Sequence, residues 1–239
     1  MTGDGRDGAR GVSDPRLFVA LDLSTPADAR AMVERLGDSV VAYKVGLQLL
    51  PVGGGELCRE LKAQGKIVFA DFKLHDIGAT VEKATRSVAG LGVDFLTVHA
   101  RPQVMQAARR GADGTELRVL GVTVLTSLGE AALQETGHVM RPAELIELRA
   151  RQAVEAGIHG VVASPLEASA IRALAPEGFA IVTPGVRPEG AERGDQVRVA
   201  TPARALRNGA THLVVGRPIT QSGDPKAAAE RIVASLPAI

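Results

Sequence analysis

From Arg16 onward, short apolar runs alternate with stretches whose apolar residues recur at helical spacing. The apolar runs, rich in β-branched and aromatic residues, predict strands. They fall near Leu17–Leu21, Val40–Val45, Ile67–Asp71, Val93–His99, Val119–Leu125, Gly160–Ala163, Phe179–Thr183 and His212–Gly216. All five Phe residues and Tyr43 lie in or beside these segments, as expected of side chains that favour pleated, packed surfaces. Between the runs, helix starts are legible. Thr25-Pro26 with Asp28 offers a cap, a first-turn proline and an acid that complements the helix dipole. Arg141-Pro142, Ser164-Pro165, Thr201-Pro202 and Asp224-Pro225 read as further starts.

Eight predicted strands, each followed by a helical pattern, across about 225 residues imply a parallel sheet. Eight is also the number at which such a sheet closes, so the expected fold is α/β, a single-domain (β/α)8 TIM barrel. A doubly wound open sheet is the alternative, because strand order is not written in one sequence. Residues 1–14 are rich in Gly, Arg and Asp and nearly devoid of apolar side chains. They read as a disordered N-terminal tail ahead of a barrel domain over residues 15–239.

Composition narrows the function. The chain has 239 residues, 45% hydrophobic and 23% charged, with a formal net charge of +1. That balance gives no electrostatic reason to expect nucleic acid or a membrane surface as partner. Trp is absent, Tyr43 is the only tyrosine, and no basic–aromatic interleaving suggests a base-stacking platform. No apolar run approaches the roughly 20 residues of a membrane-spanning helix, and the first residues lack the apolar centre of a signal peptide. Cys58 is the only cysteine, which excludes an intramolecular disulfide and suits a reducing, cytoplasmic compartment. Set between Leu57 and Leu61, it reads as a small packed residue. Nucleotide-loop, dinucleotide-fingerprint and paired-cysteine metal motifs are absent.

Polar residues gather where the predicted strands end. Asp22 follows the first strand, Lys44 ends the second, Asp71 and Lys73 the third, and His99 the fourth. Thr126 and Ser127 follow the fifth and Ser164 the sixth, with Pro184-Gly185 and Gly216-Arg217 at the seventh and eighth. In a barrel all of these ends converge on one face, where active sites of such enzymes lie. Taken singly, His99 or Ser164 reads more readily as a strand terminus or a cap. The densest chemistry is Asp71-Phe72-Lys73-Leu74-His75-Asp76-Ile77. Strand alternation puts Asp71 and Lys73 on one face, and such charges are costly to hold there unless paired. A salt bridge that merely trims the strand end is the structural alternative.

Pro184-Gly185-Val186-Arg187-Pro188 and Val215-Gly216-Arg217-Pro218 place glycine and arginine at neighbouring strand ends. Glycine admits a ligand close to the backbone, and arginine binds phosphate oxygens through parallel donors. The loops after strands seven and eight are the usual phosphate position in these barrels. The polar segment from Pro184 to Thr201, with Gly190, Gly194, Asp195 and Gln196, exceeds an ordinary strand–helix loop and reads as a lid.

With these motifs in order, the chain from about Leu17 to Pro225 resembles the bacterial orotidine 5'-phosphate decarboxylase family of the ribulose-phosphate-binding barrel superfamily. The carriers are Val19-Ala20-Leu21-Asp22, Lys44-Val45-Gly46, the Asp71–Ile77 stretch, Val122-Thr123-Val124-Leu125-Thr126-Ser127, Thr183–Pro188, Gly194-Asp195-Gln196 and Val215–Pro218. The resemblance implies decarboxylation of orotidine 5'-phosphate to UMP, with no cofactor and no metal. It implies that Asp22 and Lys44 contact the ribose or complete a charged array with Asp71, Lys73 and Asp76, Lys73 donating the proton. It implies a homodimer with shared sites, Asp76 and Thr80 reaching into the partner's cavity. Thr126 would meet the pyrimidine, and Arg187, Gln196, Gly216 and Arg217 the phosphate and lid.

One departure stands out. Many relatives have Pro-Asn-Thr after the motif, whereas Gly78-Ala79-Thr80 stands here, so a less rigid loop with one amide fewer is expected. Two other functions fit a phosphate-binding barrel: a metal-dependent decarboxylase or aldolase of keto-sugar phosphates, and a non-catalytic barrel that binds nucleotide phosphates. In the first, the resemblance implies an acid in place of Lys44. The second predicts binding without turnover.

Overall fold

The computed structural model describes residues 13–187 and 200–238. Eight parallel strands close into a barrel in chain order: β1 Leu17–Ala20, β2 Ala42–Gly46, β3 Ile67–Leu74, β4 Phe95–His99, β5 Arg118–Val122, β6 Gly160–Val162, β7 Ala180–Thr183 and β8 His212–Val215. Each predicted strand is present with ends shifted by a few residues. The closed order excludes the doubly wound sheet. The helices outside are α1 Pro26–Leu36, α2 Gly54–Ala63, α3 Gly78–Ala89, α4 Pro102–Gly111, α5 Glu130–Glu135, α6 Pro142–Glu155, α7 Ala168–Leu174, α8 Pro202–Arg207, α9 Arg217–Thr220 and α10 Pro225–Ala234.

Two apolar layers follow from strand alternation. One set of strand positions meets the helices; Tyr43, Val45, Val68, Ala70, Leu96, Val98 and Ile181 pack there with Leu57, Leu61, Met105 and Ile232. The other set fills the barrel: Phe18, Ala42, Phe69, Phe95, Leu120, Ala180, Val182 and Val214. The rings of Phe18, Phe69 and Phe95 meet edge-on, with centroids 5.6–6.2 Å apart, the geometry that aromatic quadrupoles favour. His212 joins this group 5.4 Å from Phe95. The interior near the strand starts is therefore a solid floor.

Capping chemistry explains several helix starts. The Thr25 hydroxyl accepts from Asp28 N and the Asp224 carboxylate from Ala227 N, each with proline in the first turn behind it. Ser164-Pro165 is a correction: α7 starts later, at Ala168. Ser164 is buried and its hydroxyl instead accepts from Leu166 N at 3.2 Å, making a turn that delays the helix. Gly78 opens α3 without a proline.

Asp14, the last residue of the predicted tail, is held by Arg16 at 2.6 Å, and residues 1–12 lie outside the described part. So do Gly190, Gly194, Asp195 and Gln196 of the predicted lid. The flanks of that segment meet in a parallel bridge between Val186 and Ala200. Cys58 is buried on α2, and burial pushes its thiol up to about 12, as a packed rather than reactive cysteine requires. Among the described residues, no helix is long and apolar enough to cross a membrane.

Candidate active site

The barrel interior changes character toward the strand ends. On β2 the inward sequence runs from Ala42 to Lys44, on β3 from Phe69 to Asp71, and on β4 from Phe95 to Thr97. Lys44, Asp71 and Thr97 are all buried. They are joined in a continuous chain. Lys44 Nζ lies 2.9 Å from Asp22 Oδ1 and 3.2 Å from Asp71 Oδ2, and Lys73 Nζ lies 2.8 Å from the same Asp71 oxygen. The other oxygen, Asp71 Oδ1, accepts a hydrogen bond from the Thr97 hydroxyl at 2.8 Å.

Each charge in this array depends on its neighbours. Burial alone pushes the Asp71 carboxyl up, but Lys44 and Lys73 outweigh it and hold the group below its ordinary range. Burial likewise works against the Lys44 ammonium, yet Asp71 and Asp22 raise it above its ordinary value. Acid and amine alternate along the string, and at its two buried members, Lys44 and Asp71, the neighbours favour the charged form. The Asp22 side chain is 54% exposed, against 9% for Lys44, so the string starts at the open cavity and runs inward.

The third strand reaches this geometry by an irregularity that alternation alone did not predict. Ala70 pairs with Leu96, but the next pair is Leu74 with Val98, so β3 advances by four residues while β4 advances by two. Within that bulge Lys73 has φ 49°, making it the one positive-φ residue other than glycine among the described residues. β-Bulges commonly re-aim a side chain beside a site. Here the turned backbone brings Lys73 beside Asp71, and its N–H donates to Thr97 Oγ1 at 3.0 Å.

A cavity of about 560 Å³ sits above the floor, with Phe69 and Val214 below and Asp22, Lys44, Asp71 and Lys73 on one wall. Val124, Leu125, Thr126 and Ser127 form a second side. Pro184, Gly185, Arg187, Gly216, Arg217 and Gln221, which follow β7 and β8, complete the lining. Gly185 has φ 75°, a conformation that suits glycine. Burial and the nearby positive Arg217 both work against the Arg187 charge, which makes that part of the cavity receptive to an anion. Its volume is that of an ordinary small-molecule site.

The cavity thus gathers Asp22, Lys44, Asp71, Lys73, Thr126, Arg187, Gly216 and Arg217 of the predicted set. Asp76 and Thr80 are exposed at the start of α3 and do not line this chain's cavity. Asp76 Oδ1 accepts from Ile77 N at 2.6 Å beside an Ile77 that is 71% exposed. Gln196 lies outside the described residues. His99 does not line the cavity; its ring lies 5.1 Å from that of His75, and burial chiefly lowers its proton affinity. Among the described residues, no three His, Cys, Asp or Glu side chains are grouped so as to hold a metal ion.

Two contributors escaped sequence reasoning. Thr97 reads as an ordinary strand threonine, and only its inward parity with Phe95 marks it. Gly46 matters by what it lacks: a Cβ there would lie 2.9 Å from Asp22 Oδ1 and 3.0 Å from Lys44 Nζ.

The chain is similar to known proteins over nearly its whole length. An orotidine 5'-phosphate decarboxylase of Caulobacter sp. (strain K31) is 54% identical over 224 residues, covering 94% of this chain and 98% of the relative. One from Cereibacter sphaeroides is 55% identical over 231 residues, covering 95% and 99%. The crystal structure of orotidine 5'-phosphate decarboxylase from Lactobacillus acidophilus superposes with a TM-score of 0.83 at 36% identity, covering 94% of this chain and all of that one. Residues 15–232 match the family described as orotidine 5'-phosphate decarboxylase / HUMPS, and with that match the chain belongs to this family.

Proposed function

We propose that this site decarboxylates orotidine 5'-phosphate to UMP and carbon dioxide, the closing step of pyrimidine nucleotide synthesis, with Lys73 as the proton donor. The observation that carries the reading is the unbroken string Asp22–Lys44–Asp71–Lys73 lining the same cavity as Arg187 and Arg217. Arg187, Arg217 and the Gly216 backbone hold the phosphate, Asp22 and Lys44 the ribose, and Thr126 the pyrimidine. The substrate carboxylate then lies against Asp71.

In the chemical step the bond from ring carbon six to the carboxyl carbon breaks, and its electron pair stays on carbon six. Carbon dioxide leaves, and a Lys73 ammonium proton moves to that carbon; solvent water then reprotonates the amine. The ring offers this carbanion little resonance relief, so the ammonium beside it supplies most of the stabilisation. Two carboxylates about 4 Å apart repel by roughly 4 kcal/mol at an effective dielectric of about 20, a stress released as the substrate's carboxylate departs. Phosphate binding supplies remote energy that keeps the ring in place.

Asp76 and Thr80 complete the cavity of a second copy, giving a homodimer with shared sites. Their exposed position beside the bare Ile77 supports this. A lone buried thiol and a nucleotide-phosphate substrate support a cytoplasmic location, and the near-zero net charge supports a small-molecule partner rather than nucleic acid.

One experiment tests chemistry and sharing together. Wild-type protein should convert orotidine 5'-phosphate to UMP in an absorbance assay, with or without chelator; no turnover overturns the reading, and turnover lost to chelator favours the metal-dependent alternative. Lys73→Ala and Asp76→Asn should each be inactive alone. After subunit exchange the mixture should recover about a quarter of wild-type turnover, since half the dimers are mixed and each holds one intact site. No recovery overturns the shared site.

A further inference from the structure

We infer that Thr97 is a positioning residue for this reaction: its buried hydroxyl locks the Lys73 backbone and the Asp71 carboxylate together. The inference rests on the reading of Lys73 as proton donor and extends it to a residue that touches neither substrate nor cavity.

The argument begins with the backbone. A bulge that spends extra residues on one strand leaves peptide groups without ladder partners, and a buried N–H left bare is costly. Here β3 advances from Ala70 to Leu74 while β4 advances only from Leu96 to Val98, and Thr97 is the β4 residue facing the gap. The Lys73 N–H is satisfied by the Thr97 side chain at 3.0 Å rather than by a strand carbonyl. Lys73 also holds φ 49°, a left-handed conformation that non-glycine residues keep only where surrounding structure enforces it. Thr97 is fully buried, so water does not substitute for its hydroxyl.

The hydroxyl has a fixed sense. A peptide N–H only donates, and an ionised carboxylate only accepts. Thr97 Oγ1 therefore accepts from Lys73 N and gives its single proton to Asp71 Oδ1 at 2.8 Å. One atom fixes the backbone that aims the amine and also the rotamer of the acid that the amine touches. Asp71 Oδ2 is left for Lys44 and Lys73 at 3.2 and 2.8 Å. Without the hydroxyl, both ends of the catalytic contact lose their anchor at once, while β7 and β8, which carry the phosphate end, are untouched.

Thr97→Val preserves shape and removes both hydrogen bonds. It should lower kcat by about 10- to 100-fold while leaving KM and UMP affinity within about threefold, and Thr97→Ser should return kcat to within about threefold of wild type. A purely structural role predicts instead that melting temperature and active fraction fall together and that kcat per folded molecule is unchanged; that result overturns the inference. If Thr97→Val does not fold, Thr97→Ala and Thr97→Ser provide the same comparison, and equal kcat in the two overturns it. Lys73→Ala measured alongside separates the two levels. Turnover persisting in Lys73→Ala sinks the donor assignment and this inference with it. Turnover lost there but normal in Thr97→Val sinks only the positioning role.

Discussion

The two ends of the barrel interior are built from the same strands and do opposite things. Near the strand starts, Phe18, Phe69 and Phe95 meet edge to face and His212 fills the remaining gap. Two residues further along, the same strands present Lys44, Asp71 and Thr97 in a hydrogen-bonded, ionised string. The comparison shows how cheaply a barrel separates stability from chemistry: one step of strand alternation divides them. The two layers also depend on each other. The aromatic floor closes the lower side of the site to water, and ionic contacts above it act in a lower dielectric than at an open surface.

If that division holds, substitutions in the two layers should fail in different assays. The largest effect belongs to the upper layer. Lys73→Ala should cut turnover by about 10⁴-fold or more while UMP still binds and the melting temperature hardly moves; near-normal turnover would refute its role. Next comes the floor. Phe69→Ala should cost about 3–5 kcal/mol in denaturant unfolding, with kcat per folded molecule retained to a far greater degree than in Lys73→Ala. A smaller effect probes the arginines of the cavity. Arg217→Ala should weaken UMP by about 1.5–3 kcal/mol and leave uridine, which lacks the phosphate, nearly unaffected; equal losses for both would break the assignment.

The smallest effect tests the floor's one titratable member. Burial above all, with Arg118 adding to it, pushes His212 down to about 4 from an ordinary value of 6.5, only partly offset by Asp14. The unfolded chain therefore binds this proton at higher pH than the folded one does. Stability from this group is full above about 6.5 and declines as pH falls toward about 4, where the folded group itself takes up the proton. Urea unfolding at pH 7 and pH 4.5 should show a smaller difference in His212→Leu than in wild type. An identical difference would mean that the floor does not resist the proton.

Much of this was legible beforehand because period-two apolar runs and strand-end polarity are local signals. All eight strands, the placing of Asp71 and Lys73 at one strand end and the arginines after β7 and β8 follow from them. What stayed hidden was non-local. Nothing in Phe69-Ala70-Asp71-Phe72-Lys73 announces that β3 continues through a bulge to Leu74, because that irregularity exists only against β4. Thr97 is a good strand former by type, so its hydrogen bonds are invisible until a neighbour is placed beside it. Ser164-Pro165 has the composition of a helix start, but the buried hydroxyl turned to Leu166 and the helix waited until Ala168. Asp76 and Thr80 stand exposed beside the start of α3, outside this chain's cavity, and strand-end polarity alone did not separate them from the residues that line it.

Position 46 carries a last consequence. A methyl group is the least a mutation adds there, and it arrives on the two atoms that anchor the ion pair, at 2.9 and 3.0 Å. Any side chain at that position displaces an acid and an amine in the same stroke. The spacing of the charge string is thus set in part by a residue with no side chain of its own.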